Sequence, residues 1–280
     1  MADLSSIPGI NEADAALLRA ALADRTRRVQ RVELSRRTVW VKRYGTEAAL
    51  LWQRFYAPLA TLLPVAFRPA PRLAPEAMIE QEMRRIRQFR QAGFRVPEVL
   101  CRLGRSLVLS DIGISVAYRL YEISAETAAH EALLVECAAT LGRLHAAGLC
   151  HGRPAPRDLT LEREGDGSLG FLDFEEEPEA VMPLAAAQGR DLWVLFFQLA
   201  SRSKTPETTL PRAYAAWRQA APPAAEGELR GIIRFAARFL PLARLIGRVR
   251  MGSDLRRFIV ATGYLEKAIG QDSDRQGRTE

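Results

Sequence analysis

The chemistry available to this sequence rests on Lys42, Glu82, His151, Arg153, Asp158 and Asp173. Four of these fall in one stretch, Leu141 to Phe174, which reads LGRLHAAGLCHGRPAPRDLTLEREGDGSLGFLDF. Asp158 and Asp173 are carboxylates, hard oxygen donors of the kind that hold Mg²⁺. Arg153 is a permanent cation with five N–H donors and no acceptor lone pair. It can clamp an anion or pair with Asp158 or Asp173, but it cannot accept a proton. Lys42 stands out by rarity. Lysine occurs only at 42, 204 and 267, so the basic charge is almost all arginine, yet the strand-like VWVK ends in lysine.

These residues need elements to hold them. Ala125 to Ala147 has the period of an amphipathic helix through Leu133, Leu134, Cys137, Leu141 and Leu144, and it delivers the chain to His151. Gly165 to Gly167 supplies a turn, and Ser168 to Leu172 a strand that presents Asp173. Arg27 to Tyr44 reads as a hairpin. Val29, Val32 and Leu34 lead to a polar turn at Ser35–Arg37, after which Val39 and Val41 alternate with Trp40 and Lys42. Glu76 to Ala92 is predicted helical, with Met78, Met83, Ile86 and Phe89 on one face and Gly93 closing it. Glu80 and Glu82 lie about 200° apart around this helix, so both cannot serve one partner. One role for Glu82 is a surface pair with Arg85.

Further along, Ser106 to Ile114 is a buried strand ending in Asp111-Ile-Gly. Asp191 stands near the start of an apolar helix, Gln188 to Ser201, which it can cap. Ile10 to Ala23 forms a short helix capped by Asn11. Pro211 to Gly270 reads as three helices broken at Pro222-Pro223 and Gly252-Ser253, and Gln271 to Glu280 as a disordered polar tail.

A chain of 280 residues, 48% hydrophobic, can bury one large core or two lobes. A net charge of +7 favours anionic partners, but arginine bias alone does not argue for specific nucleic-acid binding. Cys101, Cys137 and Cys150 lack ligand-like spacing, and an odd count suits buried thiols in a reducing compartment. The N-terminus lacks the pattern of a signal peptide, and no apolar run reaches spanning length, so a cytoplasmic protein is expected. Ala49 to Phe67 is apolar but broken by Pro58 and Pro64. Two placements fit it: packed on the core, or lying in a membrane interface with Trp52, Phe55 and Tyr56 at headgroup depth.

In order and spacing, VWVKRYG, EQEMRRIRQFRQAGFRVPEVL, LHAAGLCHGRPAPRD, FLDFE and RDLWVL resemble the lipopolysaccharide kinases, the heptose and Kdo kinases of Gram-negative bacteria. The likeness covers roughly Val39 to Ser201. It implies an α+β, bilobed, protein-kinase-like fold. The small β-rich N-lobe, five-stranded and with the Glu82 helix, would be residues 1–110. The larger helical C-lobe would be 111–270, and 271–280 a tail. It implies ATP and Mg²⁺ as cofactors, with Lys42 on the nucleotide phosphates, Glu82 as its ion-pair partner and Asp111 near a ribose hydroxyl unless it caps a turn. Asp158 and Asp173 would hold metal, His151 would brace the loop, and Asp191 would hold the loop backbone from below unless it caps its helix. The implied partners are nucleotide, a glycolipid at the cytoplasmic face of the inner membrane, and a protein partner.

The departures bear on activity. The family's catalytic loop, H-x-D-x-x-x-x-N, carries an Asp that accepts the acceptor hydroxyl's hydrogen bond. Arg153 stands in its place, Asp158 in that of the Asn, and Pro154 replaces the usual Leu. Glu175 stands where D-F-G has glycine. No glycine lies between Gly9 and Gly45, so a glycine-rich phosphate loop is missing, with Arg27, Arg28, Arg31, Arg36 and Arg37 as substitute charge. The expectation is therefore a nucleotide-binding pseudokinase in cell-envelope glycolipid metabolism. The alternative is an active atypical phosphotransferase, acting on a lipopolysaccharide-core sugar or a protein, with Asp158 or another carboxylate orienting the acceptor.

Overall fold

The computed structural model describes residues 7–24, 26–45, 65–68, 73–162 and 167–276. The apolar stretch expected at 49–67 therefore lies outside the described residues except for Val65–Phe67, a short 3-10 turn. The turn expected at 165–167 is described only at Gly167. The fold is mixed α+β and divides into two units.

The first unit comprises residues 1–57, 71–114 and 160–175. Helix α1 (Glu12–Ala23) begins at Asn11, whose side chain accepts from the Asp14 amide at 2.8 Å. Strands β1 (Val29–Glu33) and β2 (Thr38–Arg43) form the expected hairpin. After helix α2 (Pro75–Gln91) come β3 (Val99–Leu103) and β4 (Ser106–Ser110). These four strands form an antiparallel sheet in the order β1-β2-β4-β3. Five strands were expected. Among the described residues no strand precedes β1, because the chain there forms α1 instead.

The pleat assigns the side chains. Val39 and Val41 on β2, with Val32 and Val108, face α1 and bury against Leu18 and Ala21. Arg43 lies on the same face and donates to the carbonyls of Ala21 and Arg27. Trp40, Lys42 and Tyr44 point the other way. That face meets α2, whose buried side is Ile79, Gln81, Glu82, Arg85, Ile86 and Phe89. Met78 and Met83 are only half-buried, so the inner stripe is rotated from the one read off the sequence. Val29 is 46% exposed.

Residues 160–175 belong to this unit, not to the second as the contiguous 111–270 division expected. Strands β5 (Ile114–Ser115), β6 (Leu159–Leu161) and β7 (Leu169–Phe171) form a small sheet in that order. Arg95 Nη2 donates to the carbonyls of Thr160 and Ser168, each at 2.9 Å, and the Phe171 amide donates to Arg95 O. Phe171 and Phe174 pack edge-on to Phe89 of α2 at 5.5 and 4.7 Å between ring centres. Aromatic burial is what returns this segment to the first unit.

The second unit comprises residues 58–70, 115–159 and 176–280. Its described elements are helical: α3 (Val116–Glu122), α4 (Thr127–Ala146), α5 (Leu184–Arg202), α6 (Pro206–Arg218), α7 (Pro223–Ala237), α8 (Leu240–Val249) and α9 (Ser253–Gln276). Helix α4 packs on α6, and α5 on α7 and α9. A Cβ at Gly142 of α4 would come 2.5 Å from Trp217 O of α6, so glycine permits that close crossing. Where one helix was expected between Pro223 and Gly252, α7 and α8 are separate. Pro241 has no N–H and its ring clashes with the carbonyl of Ala237, so the helix stops there. Helix α9 runs through Gln276, past the Gly270 at which the tail was expected to begin.

Candidate functional site

Lys42 ends the inner face of β2, and its ammonium is buried among carboxylates of its own unit. Nζ lies 2.8 Å from Glu82 Oε2, 3.0 Å from Asp173 Oδ1 and 2.8 Å from Glu175 Oε1. Glu82 is 1% exposed and also accepts from the Tyr44 hydroxyl at 2.6 Å. Glu80, by contrast, is exposed and pairs with Arg102. Glu82 and not Glu80 pairs with Lys42, as the resemblance implied, and Arg85 is itself buried rather than a surface partner.

The electrostatics follow from burial. Removal from water would lower the Lys42 pKa, but Glu82 first, then Asp173 and Glu175, outweigh it and hold the group above the ordinary lysine range. The ammonium is therefore a fixed cation. Burial pushes the Glu82 carboxyl up while Lys42 pulls it down, with the net displacement upward. The Tyr44 phenol is raised by burial and by the Glu82 charge. Asp173 has φ +62°, the left-handed region that non-glycine residues rarely adopt. Such backbone strain concentrates at functional positions because surrounding structure must hold it.

Tyr44 and Gln81 were not foreseen in this centre, nor was the part that Glu175 takes in it. Glu175 occupies Lys42 directly, is gripped by Arg28, and is tied to α2 where Gln81 Nε2 donates to its backbone carbonyl at 2.6 Å. Tyr44 and Glu175 each stand two residues beyond a recognised site residue, Lys42 and Asp173. Of the arginines expected to substitute for a glycine-rich loop, Arg28 serves Glu175. Arg31 pairs with Glu33 and Arg37 donates to Pro8 O. Asp111 Oδ1 accepts from Trp40 Nε1 at 3.2 Å and from the Gly113 amide at 3.4 Å, so it serves the turn-capping alternative.

The loop from His151 belongs to the second unit. Asp191 lies about two turns inside α5, which begins at Leu184 and not at the expected Gln188; it is fully buried and accepts both loop amides, His151 N at 2.5 Å and Gly152 N at 2.9 Å. Of its two expected roles, it holds the loop. Behind it, Trp217 Nε1 donates to His145 Nδ1 at 3.0 Å. An indole is only a donor, so the other imidazole nitrogen carries the proton toward Asp191 Oδ2, 3.5 Å away. Gly152 has φ +100°, and a Cβ there would meet Glu176 Cβ at 2.8 Å. His151 is 1% exposed, as a bracing residue should be.

Arg153 is half-exposed, with Nε 3.6 Å from Glu176 Oε1, a partner not foreseen from the sequence. Arg190 holds the same carboxylate at 3.1 Å. Asp158 is buried, and Arg157 Nε lies 3.5 Å from its Oδ1. Among the described residues no group of three or more His, Cys, Asp or Glu is arranged to hold a metal ion. The cysteines are free, as expected, and burial pushes the Cys137 thiol up to about 12. No described helix is long and apolar enough to cross a membrane.

Set against known proteins, no family model matches the chain. Over 101 residues it is 29% identical to an uncharacterized protein of Haemophilus influenzae (strain Rd), a likeness spanning 36% of this chain and 40% of that protein.

Proposed function

We propose that this chain is a kinase-like nucleotide-binding protein whose capacity for phosphoryl transfer is impaired. The observation that carries the proposal is the buried Lys42 ammonium paired with Glu82 and flanked by Asp173 at a strained backbone position. A cation so held suits nucleotide phosphates, and Asp173 suits the Mg²⁺ that accompanies them, the metal supplying charge neutralisation. Glu175 modifies the fit. It occupies the ammonium where a phosphate oxygen would bind, so nucleotide must displace it. Impairment rests on Arg153, which cannot accept a hydroxyl hydrogen bond. The setting in cell-envelope glycolipid metabolism, with a glycolipid or protein partner, rests on the sequence resemblance.

A second reading, an active atypical phosphotransferase, draws on Glu176. Its carboxylate stands beside Arg153 and is steadied by Arg190, so it could orient an acceptor in place of the missing Asp.

A thermal-shift titration with ATP, with and without Mg²⁺, tests the nucleotide site. Ligand at a hundredfold excess over Kd stabilises by about 2.7 kcal/mol, roughly 5 °C for a chain of this size. The expected result is a Mg²⁺-dependent shift absent from Asp173→Ala, with no ATP turnover unless Arg153 is changed to Asp. No shift at millimolar ATP would refute it, and turnover by the wild type that Glu176→Gln abolishes would favour the second reading.

A further inference from the structure

Helix α8 exposes an apolar stripe to solvent. Leu242, Leu245, Ile246 and Val249 recur at i, i+3, i+4 and i+7, one helical face, and are 56, 58, 48 and 89% exposed. Phe239 before the helix and Met251 after it extend the stripe. The helix is anchored on another side, where Leu240 and Ala243 are buried and α9 packs. The stripe is therefore a face left over once the core is made. The surrounding charge is of one sign. Between Glu228 and Asp254 the sequence has no carboxylate and six arginines, at 230, 234, 238, 244, 248 and 250. Of these Arg234, Arg238, Arg244, Arg248 and Arg250 are exposed. Arg248 stands about 60° round the helix from Leu245, on the flank of the stripe, and Arg250 follows at its end, whereas Arg244 lies about 40° from the buried Leu240.

We infer that α8 is a docking surface for an anionic lipid bilayer, lying in the plane of the headgroups with its apolar stripe inserted. Ten residues at 1.5 Å each cannot cross a membrane, but they suffice for an interfacial helix. Arginines beside the stripe meet lipid phosphates while Leu242, Leu245, Ile246 and Val249 enter the acyl boundary. The apolar stripe separates this from nucleic-acid binding, where phosphate contacts use cations and exposed aliphatic side chains gain nothing. The uniform positive charge separates it from self-association, since a second copy would bring the same arginines to the contact. The inference is independent of the Lys42 centre.

Vesicle flotation with the full chain tests it, using phosphatidylcholine alone or mixed with phosphatidylglycerol. The variants Leu245→Glu/Val249→Glu and Arg248→Gln/Arg250→Gln alter only exposed side chains, and their melting temperatures verify the fold. Binding is expected to the mixed vesicles and not to phosphatidylcholine alone, and to weaken with added salt. It should fall roughly tenfold or more in either variant, each arginine and each inserted side chain contributing severalfold. Failure to bind anionic vesicles would overturn the inference. So would binding that survives Leu245→Glu/Val249→Glu, or that an oligonucleotide shares with the same indifference to those changes. A lipid-free dimer dissolved by the same variant would assign the face to a second copy instead.

Discussion

Lys42 is held by more negative charge than a single ion pair needs, and that excess defines how the centre responds to change. Replacing Lys42 with Met leaves Glu82 buried without its cation, a loss of about 3–5 kcal/mol by urea unfolding. Adding Glu82→Gln to that variant should recover much of the loss, because the uncompensated charge is then gone. Additive costs would contradict a buried, coupled pair. Glu82 was legible through the family resemblance, helical phase adding only that Glu80 could not share its role, and Lys42 from its rarity and its place at a strand end. Glu175 was not. Its weight comes from Arg28 and Gln81, distant in sequence, which turn it onto the ammonium.

At the scale of elements, buried acids secure the helical unit. Asp191 satisfies two loop amides, and Asp191→Ala strands both, a cost of roughly 2–4 kcal/mol, whereas Asp191→Asn keeps one acceptor and should cost about half as much. Glu131 on α4 acts similarly at the start of α6. It accepts from the Lys204 amide at 2.9 Å, from Thr209 Oγ1 at 2.6 Å and from Ser203. Burial raises its pKa, but these donors outweigh that and bring it to about 2, below the ordinary 4.5. A depressed folded-state pKa contributes stability above the unfolded value that fades as pH falls through the folded one. Stability measured from pH 7 to pH 2 should therefore decline across the window from 4.5 toward 2, and Glu131→Gln should lose about 2 kcal/mol at neutral pH and flatten that decline. An unchanged acid limb would show that Glu131 contributes nothing. The role of Asp191 was among those expected through the resemblance, whereas that of Glu131 was not readable, since it matters through neighbours that tertiary packing brings. The break before Pro241 was readable in principle, from proline's missing N–H.

At the scale of the whole molecule, neither unit is a continuous stretch of chain. Hydrophobic pattern marks the strands and helices, but not that residues 160–175 fold with the first unit, which depends on Phe171 and Phe174 finding Phe89. A fragment ending at Ile114 lacks those rings and should show little cooperative melting by circular dichroism, while an N-terminal fragment supplied with a peptide of residues 160–175 should regain some. Cooperative folding of the shorter fragment alone would contradict the aromatic account. The central claim, that the Lys42 centre receives nucleotide phosphates in competition with Glu175, is tested most directly by calorimetric titration of Mg²⁺-ATP into the full chain and its Glu175→Gln variant. Loss of the competing charge should tighten binding about tenfold, equivalent to about 1.4 kcal/mol. Equal affinity, or no binding to either protein, would contradict it.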